Sequence, residues 1–375
     1  MKRKVALIFG GNSVESEVSV ITAVQAYNHL DDKKYLVEPM YVYEGDFYVG
    51  DIKSIKDFAP FIPSKHKKVI LYKGGFYTFD KNKLKPFFKP DVVLNCCHGG
   101  EGENGVLQGV FEFCDLPHTS PPVLPSAVCM DKAVSKVLFE KDLLNVTKHI
   151  VFSKSEYLTD KNQVLSQAES MGYPLIVKPA CLGSSIGITP AWSGKDLENG
   201  VEIAFAFDDK VVVEVMLVDF VEVNCAVYRG KNGVVVSETE QPLSINGFLS
   251  FDDKYSSGKM SGGGHVIPAD VGDLNAKIKE LTKKIYDKFE LDGVVRIDYL
   301  VDKNKNKIYV NEINTVPGSL AYYLFEKDGI TYSTLLDEII DYAINKRLKK
   351  KASQRRYTTG ILESFKGGAK VKCKI

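Results

Sequence analysis

The 375-residue chain holds no apolar run near the roughly 20 residues needed to cross a bilayer, so it reads as having no membrane partner. Its net charge is only +1 at pH 7, which gives no whole-molecule attraction to nucleic acid or anionic lipid. Its seven cysteines (96, 97, 114, 129, 181, 225 and 373) are odd in number, form no CxxC pair and sit mostly inside apolar runs. That pattern argues against a zinc site and reads as buried, reduced thiols in a cytoplasmic chain. The opening MKRKVALIFGGNS has the basic residues of a signal peptide, but its apolar run is too short and leads into GGNS, as a first β-strand would. The GGNS turn lacks the GxGxxG spacing of dinucleotide folds, and the later GSSIG lacks the GxxxxGK(S/T) spacing of a P-loop. Hydrophobic content of 44% and charged content of 26% are ordinary for a globular protein, and the length suffices for two or three domains.

What the chain does hold is the stretch 294–318, VVRIDYLVDKNKNKIYVNEINTVPG. β-Branched runs at 294–301 and 308–313 flank the polar DKNKNK segment, which is a hairpin signal. Alternation puts Arg296 and Asp298 on one face of the first strand, and Glu312 and Asn314 on one face of the second. A turn centred near Lys305 sets Asp298 opposite Glu312 and Arg296 opposite Asn314. Carboxylates facing each other at about 5 Å repel unless positive charge lies between them. Oxygen ligands of this kind suit Mg²⁺, which bridges carboxylates to a substrate's phosphates. The plain alternative is a solvated strand face with scattered charges.

Elsewhere the chain offers partners for such a site. Residues 4–9 form an apolar strand, followed by a helix to about Leu30 that Ser13 or Ser16 could cap. Glu15 and Glu17 fall in its first turn, and Glu15 stands at the mouth of a strand–turn–helix crevice, placed to pair with a ligand ammonium. A second strand is expected at 35–43 and a small hairpin at 69–79. The strand at 90–97 ends in HGGEGENGVLQG, where His98 is either structural or part of the same crevice. The proline-dense 117–125 marks a domain boundary, after which Ser126 would cap a helix carrying Lys132 and Lys136 on one face, toward a phosphate or toward solvent. Lys178 sits in an apolar strand, costly unless its ammonium meets an anion, and the 183–187 loop (GSSIG) offers N–H groups and hydroxyls to phosphate. Glu214 among valines would meet a nucleotide or a lysine, and Glu222 begins the next strand. The glycine-rich 246–267, with Lys254 and Tyr255, reads as a lid. Amphipathic helices follow at 276–290 and 331–347, and the chain ends in a basic tail from Lys346.

Five blocks occur in order: GGNSVESEVS, HGGEGENGVLQG, SAVCMDKAVSK, PLIVKPACLGSSIGI and RIDY…NEINTVPG. Through them the chain resembles the D-alanine–D-alanine ligases of the ATP-grasp superfamily over roughly residues 4–345. The resemblance implies an α/β fold, α+β toward the C terminus, in three ATP-grasp domains. These would be an N-terminal open α/β substrate domain (1–124), a small central α+β subdomain (125–214) and a C-terminal antiparallel-sheet metal-binding domain (215–349), followed by the basic tail (350–375). It further implies that ATP phosphorylates one D-alanine carboxylate and that the amine of a second D-alanine attacks the acyl phosphate. Two Mg²⁺, replaceable by Mn²⁺, would be held by Asp298, Glu312 and Asn314. Lys136, Lys178, Ser185 and Lys254 would bind phosphates, with adenosine near Glu214 and Glu222. Arg296 and the N–H of Gly318 would stabilise the oxyanion, Glu15 would hold the first ammonium near His98, and Ser184 and Tyr255 would link to Glu15 in closing the lid. Tyr323 and Leu324 would meet the second substrate, Tyr323 where the family commonly has a carboxylate-binding serine. Ser16 and Asn104 also depart from the family pattern. A homodimer is expected, with D-alanine and ATP as partners and no nucleic acid.

Two alternatives stand beside this reading. One is an ATP-grasp ligase with a different second amino acid or amine, suggested by Tyr322 and Tyr323. The other is a non-catalytic nucleotide- or RNA-binding protein that uses the basic tail.

Overall fold

The computed structural model describes residues 1–53, 55–81, 83–243, 264–352 and 359–360. Residues 246–263 of the expected 246–267 lid, with Lys254 and Tyr255, and most of the tail therefore lie outside the described residues.

Strands β1 (Arg3–Gly10), β2 (Tyr35–Tyr43), β3 (Asp46–Val49), β4 (Lys68–Tyr72), β5 (Gly75–Asp80), β6 (Lys83–Phe88) and β7 (Val92–Asn95) form a sheet in the order β6-β5-β4-β3-β2-β1-β7. β1 runs parallel to β2 and β7, and the others pair antiparallel. Val5 to Phe9 are fully buried, as the continuous apolar run of a strand covered on both faces requires. The helix Ser16–His29 follows, but neither serine caps it. Glu15 occupies the N-cap position, while the Ser13 hydroxyl accepts the Glu15 N–H at 3.1 Å and donates to the His98 carbonyl at 2.6 Å. Ser13 thus ties the first turn to the loop after β7.

Strands β8 (His149–Ser153), β9 (Leu175–Pro179), β10 (Thr189–Ala191) and β11 (Lys210–Val215) make an antiparallel sheet in the order β10-β9-β11-β8. The helix expected from Ser126 is two helices, Val123–Met130 and Lys132–Lys141. Ser126 lies inside the first, donating to the Pro121 carbonyl at 3.1 Å, and the break falls at Asp131. The Asp131 carboxylate accepts the N–H groups of Ala133 and Val134 at 3.0 and 3.1 Å, capping the second helix. The boundary expected at 124/125 falls inside the first of these helices.

Strands β12 (Val221–Gly230), β13 (Gly233–Pro242), β14 (His265–Val266), β15 (Val295–Asp302) and β16 (Lys307–Asn314) form a third, antiparallel sheet in the order β14-β13-β12-β15-β16. Its core is closed by the helix Leu274–Lys288, whose Ile278, Ile285 and Tyr286 are buried. The long helix Tyr332–Ala352 buries Leu335, Leu336 and Ile340 against the first core, so the tail expected from 350 begins inside it. In the hairpin, Arg296 pairs with Asn314 and Asp298 with Glu312, the expected register. Beyond them the ladder shifts to Tyr299–Val310, leaving Asn311 as the extra residue of a β-bulge.

After Pro317 the chain makes a left-handed turn in which Ser319, Leu320 and Ala321 have φ of 53°, 50° and 46°. None is glycine, and left-handed backbone costs such residues about 1–2 kcal/mol each. Burial of all three side chains and a 2.8 Å bond from the Leu320 N–H to the Pro317 carbonyl oppose that cost.

Candidate active site

Two adjoining spaces lie where the three sheets converge. A cavity of about 290 Å³ is bounded by Glu15, His98, Ser184, Arg296, Gly318 and Tyr323. A crevice of about 270 Å³ runs between the four- and five-stranded sheets, with Lys132, Lys178, Ser185, Glu214 and Asn311 on its walls. Glu222 and Glu312 line both, so the two spaces meet at these carboxylates. Ile176, Val215, Leu217 and Leu300 give the crevice apolar walls.

Glu214, on β11, is 1% exposed and is a counter-ion. Lys136 and Lys178 each lie 3.3 Å from its carboxylate, and the Thr147 hydroxyl donates to it at 2.6 Å. Burial alone would raise its carboxyl, but Lys178 and Lys136 outweigh that and hold it at about 2. Lys136 is fully buried behind Glu214 and Thr147 and does not line the crevice, whereas Lys132, one turn earlier, does. Lys132 donates to the Leu182 carbonyl at 2.7 Å and lies 3.1 Å from Glu312. Burial opposes its charge, yet Glu312 raises its pKa.

Opposite, the hairpin acids face each other across β15 and β16, each with a cation on it; Glu312 lines the crevice wall, and Asp298 is 2% exposed. Arg296 grips Asp298 by two bonds, Nε to Oδ1 at 2.7 Å and Nη2 to Oδ2 at 2.8 Å. Asn314 donates to the same Oδ2 at 2.9 Å. The bulge puts consecutive side chains, Asn311 and Glu312, on the crevice wall, and Lys178 Nζ donates across to Asn311 Oδ1 at 3.3 Å. Strict alternation hides Asn311 from a sequence reading. Lys132 was legible in its spacing of four from Lys136, but spacing cannot say which of the two turns inward.

Glu15 and Ser184 do meet: the serine hydroxyl donates to the Glu15 carboxylate. A Cβ at Gly99 would come 2.4 Å from that carboxylate, so the left-handed Gly99 (φ +64°) lets the loop after β7 close on Glu15. The adjacent serines divide between the spaces, Ser184 lining the cavity and Ser185 the crevice. His98 is 3% exposed and makes two internal bonds, Nδ1 to the Val316 carbonyl at 2.6 Å and Nε2 to the Thr22 hydroxyl at 2.7 Å. Burial lowers its pKa to about 4, so it stays neutral. Glu103, which sequence reasoning passed over, is buried beside these groups; burial and then Glu15 push its carboxyl up to about 7.

Besides Lys136, expected at the phosphates but absent from the crevice lining, two placements differ from expectation. The single hydroxyl hydrogen of Tyr323 goes to Glu240 at 3.0 Å, so this phenol does not stand as a free donor for a substrate carboxylate. Leu324 is fully buried in the hydrophobic core and does not line the cavity, because the left-handed turn rotates its side chain inward. Glu240, Asn224, Asp298 and Glu312 form a row across neighbouring strands β13, β12, β15 and β16.

Two antiparallel sheets enclosing a crevice, with buried lysines on one wall and Glu312, the hairpin partner of Asp298, on the other, define an ATP-grasp protein. Residues 4–121 match the family described as D-ala D-ala ligase N-terminus, and residues 138–341 match D-ala D-ala ligase C-terminus. The chain is similar to a D-alanine–D-alanine ligase from Thermosipho melanesiensis, 37% identical over 92% of this chain and 95% of that one. It is also similar to one from Thermosipho africanus, 36% identical over 96% and 98%. Among solved structures, the VanG D-Ala:D-Ser ligase of Enterococcus faecalis superposes with a TM-score of 0.77 at 29% identity, over 92% of this chain and all of that one. The chain belongs to the D-alanine–D-alanine ligase family.

Proposed function

We propose that the chain joins two D-alanines with ATP, through an acyl phosphate, to supply peptidoglycan synthesis. The observation that carries this reading is the pairing of Asp298 with Glu312 across the hairpin, with Glu312 standing where the crevice opens into the cavity. The crevice takes the nucleotide, its base against the apolar walls and its phosphates toward Lys178, Lys132 and the Ser185 loop. The cavity takes the amino acids, the first with its ammonium against Glu15. A carboxylate oxygen of that D-alanine attacks the terminal phosphorus of ATP, and ADP leaves. The amine of the second D-alanine then attacks the carbonyl carbon, losing a proton, and phosphate departs. Arg296 and the Gly318 N–H face the oxyanion formed in that step. No nucleophilic side chain is needed, and positioning with electrostatics accounts for the catalysis.

The donors around Asp298, Glu312 and Asn314 are oxygens, and both acids already carry a cation, Arg296 or Lys132, so the site suits positive charge. Among the described residues no group of three or more His, Cys, Asp or Glu surrounds one point. Two carboxylates and an amide fit Mg²⁺ only with phosphate oxygens completing its shell, as is usual for this ion. When bound, Mg²⁺ would neutralise the charge that develops on the phosphates. Two ions, with Mn²⁺ able to replace them, belong to the same proposal. So do a cytoplasmic location, where ATP is supplied, a homodimer, and domains meeting near 124/125 and 214/215. The described residues hold no helix long and apolar enough to cross a membrane.

ADP release measured over a panel of D- and L-amino acids tests the reading: D-alanine alone should sustain turnover. The bond from Tyr323 to Glu240 supports a second reading, a ligase that takes a different second amino acid. ADP release with D-alanine only in the presence of another amino acid would favour it.

A further inference from the structure

The segment carrying Gly318 is held by residues more than 200 positions away in sequence. The Glu103 carboxylate, 8% exposed, accepts the Gly99 N–H at 2.9 Å on one oxygen. Its other oxygen accepts the N–H groups of Thr315 and Val316 at 2.9 and 3.0 Å and the Thr315 hydroxyl at 3.1 Å. The second hold fixes its own proton positions. The Val316 carbonyl can only accept, so His98 Nδ1 carries the hydrogen of their 2.6 Å bond. Thr22 Oγ1 accepts the Ser319 N–H at 2.9 Å, which leaves its own hydrogen for His98 Nε2 at 2.7 Å. Glu103 therefore pins 315–316, the His98–Thr22 pair pins 316 and 319, and Gly318 lies between the pins at the start of the left-handed turn.

We propose that Glu103 is a positioning residue of the ligase reaction: through Thr315 and Val316, and with Thr22 as the second anchor, it aims the Gly318 N–H into the cavity. The proposal rests on the oxyanion role assigned above to Gly318. It also explains why an acid at the edge of the cavity, 8% exposed, has both carboxylate oxygens taken up by backbone N–H groups. Replacing it leaves two backbone N–H groups facing each other without an acceptor, so the segment must turn away.

The charge and the hydrogen-bond geometry can be separated by substitution. Glu103→Gln keeps a carbonyl oxygen for Thr315 and Val316 and gives up only the Gly99 bond, whereas Glu103→Ala removes all of them. We expect Glu103→Ala to lower kcat about ten- to a hundred-fold, somewhat less than outright loss of an oxyanion donor, with the KM for ATP unchanged. Glu103→Gln should recover most of that loss. Thr22→Val, close in shape and unburdened by a buried charge, should lower kcat in the same manner and keeps the test available should Glu103→Ala fail to fold. Amide hydrogen exchange gives a readout independent of turnover: peptides covering 312–320 should exchange faster in Glu103→Ala and Thr22→Val, and peptides covering 175–190 should not. Unchanged exchange at 312–320, a kcat within threefold of wild type, or a rise in the KM for ATP equal to the fall in kcat would overturn the proposal. Accelerated exchange in a protein whose wild type makes no dipeptide would instead overturn the function read from the site, with the clasp itself supported.

Discussion

Asp298 is the residue on which the site turns, because Arg296, Asn314 and Glu312 all meet it. Asp298→Ala should abolish ADP formation while circular dichroism stays that of the wild type. Glu214 makes a pH prediction. Its carboxyl is held at about 2 against 4.5 for an ordinary glutamate, so its folded pKa is depressed. A depressed group contributes stability above the unfolded value and loses it as pH falls through the folded one. Denaturant titrations from pH 6 to pH 2 should therefore show a contribution of about 3 kcal/mol fading between about 4.5 and 2, and absent from Glu214→Gln. Asn311→Ala should raise the KM for ATP about three- to ten-fold, the worth of one lost hydrogen bond to Lys178. At this scale the sequence was legible where charge stood out against apolar surroundings, as at Lys178, Glu214 and Asp298. It was silent on Glu103 and Glu240, whose meaning depends on partners more than 80 residues away, Thr315 and Tyr323.

Among the elements, the hairpin was the most legible. Its β-branched runs and polar turn specified the register, and only the bulge at Asn311 escaped, since one extra residue leaves the outer pattern intact. The helix read through Met130 and Lys132 shows the opposite case, because an apolar period of 3.6 continues across a break that Asp131 makes by capping a new helix. The break is what sends Lys132 toward Glu312. Asp131→Ala should lower stability by about 1 kcal/mol through loss of the cap, read as the midpoint of denaturant unfolding. Short strands such as β3, β10 and β14 were not read, having too few residues to set a period of two against the turns around them.

Across the whole molecule, function depends on parts that mean little alone. The first sheet supplies Glu15, His98 and Glu103, the four-stranded sheet supplies Lys178 and Glu214, and the five-stranded sheet supplies the paired acids. Motif order made this division legible, whereas the contact between the two spaces at Glu222 and Glu312 needed the fold. The ligation itself is the direct test. ADP release should require D-alanine, should yield one dipeptide for each ADP, and should vanish in Asp298→Ala. ADP release that is indifferent to D-alanine, or dipeptide formed as well by Asp298→Ala as by the wild type, would contradict the account.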